Sequence, residues 1–169
     1  MHIFINLIRQ LFAKTDRIDG IRLAEPQYWI VDATHDAAAF YRALIQFSPE
    51  GAIVCLEGAT ESNVPALLQD RRSSNPTMVA AGTIWPKSDF YHVDATSQNL
   101  EDLADMIEQH GIAMPAIHTH LYRGEQMLLE WYDAFADEPF WVSGTIDESV
   151  VGTFANGLGS SYRKSHQNS

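Results

Sequence analysis

The chain has 169 residues, 46% of them hydrophobic and 20% charged, enough for one domain to bury a core without disulfides or metals as staples. Eleven Lys and Arg against 22 Asp and Glu leave a formal charge of −11, which argues against nucleic acid as a partner, because a phosphate backbone is held mainly by basic side chains. No apolar run approaches the roughly 20 residues needed to span a bilayer, and the single cysteine, Cys55, permits no intrachain disulfide, so a cytoplasmic, reducing setting is expected.

In chain order, Phe4, Leu7, Ile8 and Leu11 recur at helical spacing, so residues 1–14 read as an amphipathic helix, with packing on its own domain or on a second copy favoured over a membrane-surface or partner-binding role. A polar connector leads to a strand at Tyr28–Val31. Thr34 is the expected N-cap of a helix whose buried stripe is Phe40, Leu44 and Phe47, ended by Pro49 and Gly51. The apolar run Ala52–Leu56 is the next strand, broken by Gly58, and it holds Cys55 as a packing residue. A helix over Ser62–Arg72 tolerates Pro65 in its first turn. Thr77–Trp85 and Phe90–Val93 read as a hairpin, and Thr96 opens a helix with Leu100, Leu103 and Ile107 inward and Gly111 as its stop.

Strands follow at Ala116–Tyr122, Met127–Asp133 and Phe140–Ser143. Gly124-Glu125 suits a type II′ turn pairing Arg123 with Gln126. Thr145 and Glu148 have the spacing of a capping box for a last helix over Asp147–Asn156, and residues 160–169 read as a flexible polar tail. Val31-Asp-Ala-Thr34 recurs as Val93-Asp-Ala-Thr96, each after a strand and before a helix. The pattern predicts a single α/β domain over residues 1–159, built on a mixed β-sheet of about six to seven strands with helices on both faces and a C-terminal hairpin.

Three groups of residues could carry function. In a regular hairpin register His118, His120 and Tyr122 share a face with Met127, Leu129, Trp131 and Asp133. His118, His120 and Asp133 would then be a two-histidine, one-carboxylate set for a divalent metal, the centre of a metal-dependent hydrolase. The strand-end acids Asp32, Glu57 and Asp94 would line one edge for Mg²⁺ if their strands were parallel. The third group mixes acids with large aromatics: Glu130, Trp131, Tyr132, Asp133, Asp137, Glu138 and Trp141. Aromatics anchor interfaces and acids steer basic partners. No Gly-rich phosphate loop, GxSxG, HExxH or CxxC is present. The favoured expectation is therefore a non-enzymatic, cofactor-free acidic protein-binding module, inhibitor- or immunity-like, engaging a basic protein, with the metal-dependent hydrolase as the alternative.

Overall fold

The computed structural model describes residues 20–59, 63–83 and 87–166. The N-terminal helix expected over residues 1–14 lies outside them. The elements run β1 (Gln27–Val31), α1 (Ala37–Phe47), β2 (Ile53–Ala59), α2 (Asn63–Asp70), β3 (Phe90–Asp94), α3 (Ser97–His110), β4 (Ala116–Arg123), β5 (Gln126–Trp131), β6 (Phe140–Ser143), α4 (Glu148–Gly157) and β7 (Tyr162–His166). The fold is α/β, with seven strands in one sheet in the order β3-β2-β4-β5-β6-β1-β7.

Every neighbouring pair is antiparallel, so the expected mixture of parallel and antiparallel pairs is absent from this sheet. Parallel relations survive only between strands that are not neighbours. β3 and β4 flank β2 and are joined by α3, while β6 and β7 flank β1 and are joined by α4. A third crossover, β1-α1-β2, runs the opposite way between strands of the opposite direction. One handedness places all three crossover helices on the same face.

The helices indeed share one core. Phe40, Tyr41 and Leu44 of α1, Val64 and Leu68 of α2, Leu100 and Leu103 of α3, and Val151 and Phe154 of α4 pack together with Val31, Val54, Leu56, Leu121 and Trp131 of the sheet. Among the described residues the helices thus lie on one face, not on both as expected. The opposite face, with Tyr28, Ile53, Cys55, Tyr122 and Met127, is covered by extended chain around Leu23 and Val79.

Local signals explain the element ends in part. Thr96 caps α3 by accepting from Asn99 N–H, and Gly111 ends it at φ 62°. In the other copy of the echoed tetrapeptide the cap is Asp36, which accepts from Ala39 N–H, while Thr34 bonds Asp36 N–H at 3.3 Å. The two copies therefore perform different capping jobs at opposite ends of the sheet. Asp147, with no side-chain bond, stands at the N-cap of α4 in place of the expected Thr145–Glu148 box.

Two further expectations change. Residues 77–83 form no sheet strand; they lie as a strap bridged to Ile21, with Ile21 N–H bonded to Met78 O and Ala80 N–H to Ile21 O. The polar tail supplies β7, because Tyr162 packs edge-on at 5.9 Å and Lys164 lies 4.9 Å over the ring of the same Trp29, giving a charged sequence an apolar surface to cover.

Candidate functional site: a buried polar face and the acidic loop beside it

The hairpin β4–β5 controls which residues meet. Arg123 pairs with Gln126 and Tyr122 with Met127, as the Gly124-Glu125 turn requires, and Gly124 has φ 58°. The next pair, however, is Leu121 with Leu129. Leu128 is an extra residue on β5, a bulge that turns over every later side chain of the strand. His120 therefore faces Glu130, and Thr119 faces Trp131. In the regular register Glu130 would lie among Phe40, Phe135 and Phe140 with no cation near it. Burying an unpaired carboxylate there is far costlier than one local disruption of the ladder.

The bulge makes the second sheet face polar. His92, Cys55, His120 and Glu130 fall side by side on β3, β2, β4 and β5, and Glu57 lies beside His118 in the adjacent row. Glu57 and His120 are fully buried, and His118 and Glu130 are 5% and 4% exposed. These groups mostly serve the covering straps. Glu57 accepts from Gly82 N–H and Thr83 N–H, both at 2.8 Å. Glu130 accepts from Leu23 N–H at 2.7 Å. The Tyr122 hydroxyl accepts from Thr77 N–H at 3.1 Å and shares a hydrogen bond with His92 Nδ1 at 2.9 Å.

Electrostatics follow from burial and these bonds. Burial alone would raise the Glu57 carboxyl, but the His120 ring and the two strap N–H groups outweigh it and hold it below the ordinary carboxylate range. Burial pushes the Cys55 thiol well up, with Glu57 adding to it, so the thiolate a nucleophile needs is suppressed. Burial likewise raises Tyr122 to about 12. His92 is held below the usual histidine range by burial, then by His120 and Arg72. His120 is the anomaly: neither ring nitrogen has a hydrogen-bond partner, and Nε2 lies 3.8 Å from Glu57 Oε2, too far for a hydrogen bond.

His118 has both nitrogens engaged. Nδ1 accepts from Asp133 N–H at 2.9 Å, so the neutral ring carries its proton on Nε2, 3.0 Å from Thr83 Oγ1. Burial is the chief reason its pKa is lowered, against the opposing pull of Glu57. The expected metal set His118, His120 and Asp133 does not assemble, because Asp133 meets His118 through its backbone and its side chain is on the exposed surface. Among the described residues no three His, Cys, Asp or Glu side chains are placed to hold a metal ion. Nor do Asp32, Glu57 and Asp94 meet: Asp94 pairs with Ile53 at the far end of β2 from Glu57, and Asp32 is occupied by Ser161 and Arg163 beside β7.

The acidic–aromatic stretch divides sharply. Trp131 is fully buried, with ring centroids 4.5 Å from Phe135, 4.9 Å from Phe140 and 5.0 Å from Phe40. Glu130 is internal, Tyr132 and Trp141 are half-buried, and Asp133, Asp137 and Glu138 are exposed. Residues 132–139 are held from beneath. Trp131 Nε1–H donates to Glu138 O at 2.9 Å, Ala134 N–H to Ile117 O at 2.8 Å, and His35 Nδ1–H to Phe135 O at 3.1 Å. Asp133 and Phe135 adopt φ of 50° and 67°, a conformation that a bulky residue keeps only when its surroundings over-determine it. Phe135, 5% exposed, is pinned in the aromatic core.

The sequence reading missed Glu130, His92, Cys55 and Thr83 as members of one polar face, since all depend on strand order or on the bulge. Only Glu130 carried a signal, as the one charged residue in an apolar strand. No protein-family model matches the chain, and neither a curated protein nor a solved structure matches it.

Proposed function

We propose that this chain is a non-enzymatic, acidic protein-binding module, inhibitor- or immunity-like, that engages a basic protein through the loop 132–139. The observation that supports the reading is the division of labour within that loop. Trp131 and Phe135 face inward as anchors, while Asp133, Asp137 and Glu138 face solvent on a backbone tied down by His118, Trp131 and His35. A partner that docks on a rigid loop need not supply the free energy to order it. Exposed carboxylates on a chain of charge −11 raise the encounter rate with a basic surface. The aromatics of the stretch thus contribute rigidity, and the acids contribute contact.

The reading is tested by comparing the wild-type chain with an Asp133→Asn, Asp137→Asn, Glu138→Gln variant. Both are immobilised, exposed to extract from the same cells, and followed by calorimetry on the captured protein. A basic partner retained by the wild type alone, with affinity falling steeply as salt rises, is the expected result. Equal capture by both chains, or an affinity indifferent to salt, would remove the loop from the interaction.

A further inference from the structure

We propose that residues 77–83 are a lid that opens locally, without global unfolding, over the polar face formed by Glu57, His118, His120, Cys55 and His92. Among the described residues the strap's backbone ladder is the short bridge to Ile21. Its closed position depends on side chains beneath it: the Glu57 carboxylate takes the N–H groups of Gly82 and Thr83, Tyr122 takes that of Thr77, and His118 meets Thr83 Oγ1. Four side-chain contacts hold it where a central strand would have a row of backbone bonds on each side. Segments held this way occupy the low-stability end of a fold.

The closed state also carries a standing cost. A Cβ placed on Gly82 would come within 2.5 Å of His118 Cδ2 and 2.7 Å of Tyr132 Cδ1, so the backbone descends directly onto the histidine layer. On that layer His120 is wholly buried with no hydrogen-bond partner for either ring nitrogen, Glu57 Oε2 standing 3.8 Å from Nε2. Opening hydrates that imidazole, so the least satisfied polar group in the region favours the open state while the Glu57 bonds favour the closed one. Met78, 65% exposed, shows the strap's other side facing solvent. Lifting it leaves that side chain in solvent and withdraws only the small side chains of Val79 and Ala80, 4% and 3% exposed, from the core. The open form presents three imidazoles, a carboxylate and a thiol on adjacent strands.

The chain's only cysteine reports the motion, since Cys55 is fully buried on the same face and packs with Val79 of the strap in one cluster. The experiment measures the labelling rate of Cys55 in the full chain by a small aromatic disulfide, as a function of urea. A lid predicts labelling in water faster than global unfolding allows, with a urea dependence well below that of equilibrium unfolding. Glu57→Gln keeps one acceptor for two N–H groups and should speed labelling on the order of tenfold at unchanged shallow urea dependence. Thr83→Val, which keeps its backbone bond and loses only the contact to His118, should act in the same direction and serves if Glu57→Gln does not fold. His120→Phe, which removes the unsatisfied nitrogens, should slow labelling. Wild-type labelling that follows the full urea dependence of global unfolding overturns the lid, whatever the variants do. None of these readouts requires a partner protein.

Discussion

Trp131 and His118 act on the same loop from its two ends. The indole N–H holds Glu138 O, and the imidazole Nδ1 holds Asp133 N–H. Two substitutions separate their polar from their packing roles. Trp131→Phe keeps most of the ring contacts and deletes one hydrogen bond, so it should cost about 1 kcal/mol, whereas Trp131→Ala should cost about 3–5 kcal/mol by opening a cavity among Phe40, Phe135 and Phe140. Urea denaturation measures both, and equal costs would contradict the assignment. At His118 the contrast is between Asn, whose side-chain oxygen can replace the Nδ1 acceptor, and Leu, which leaves Asp133 N–H unpaired. His118→Leu should accelerate amide hydrogen exchange at Asp133 and Ala134 well beyond His118→Asn. If the two variants exchange alike, His118 is not what fixes the loop.

At the scale of elements, the bulge at Leu128 decides the chemistry of both sheet faces. It sends Trp131 to the helices and Glu130 to the straps. Deleting Leu128 removes the extra residue and leaves a regular hairpin in which Leu129 still faces Leu121, Glu130 still faces His120 and Trp131 still faces Thr119. The deletion should therefore keep cooperative unfolding and the near-ultraviolet circular dichroism of a packed core, with a loss close to that of Leu128→Ala, about 2–5 kcal/mol for the buried leucine. A deletion variant that has lost cooperative unfolding would mean that Leu128 is not the residue the ladder can spare.

The same element shows what could be read in advance. The positions of β4 and β5, the turn at Gly124, and the caps at Thr96 and Gly111 follow from local patterns, and the structure has them. The face of each residue after Leu128 does not, because Met127-Leu128-Leu129 is apolar throughout and period-two alternation has nothing to mark where it slips. Strand order was equally hidden. The meeting of Glu57 with residues 82–83 joins segments with no shared pattern, and the charged β7 reads as tail until Trp29 is seen beneath it.

For the whole molecule, the buried polar face makes stability depend on pH in a definite direction. His118 and His92 are held neutral, with folded pKa values below the ordinary 6.5. As pH falls through 6.5 the unfolded chain gains protons that these rings in the fold do not yet take. The unfolded state then binds more protons, and stability falls with pH until the lower folded values are passed. Glu57 adds a second, more acidic limb. Its folded pKa lies below the ordinary 4.5, so the stability it contributes is full above 4.5 and is lost as pH falls through the folded value. Protonation there also removes the charge that holds Gly82 and Thr83 N–H, so the strap over the sheet should be the first part to loosen. The urea midpoint should therefore decline as pH falls through about 6.5 and show a further, Glu57-dependent decline below about pH 4.5. A His92→Asn, His118→Asn variant should lose the upper limb and keep the lower one. A wild-type midpoint flat across the upper range would show that the two histidines do not enter the fold as neutral, buried groups. A lower limb surviving Glu57→Gln at full size would assign it to other carboxylates.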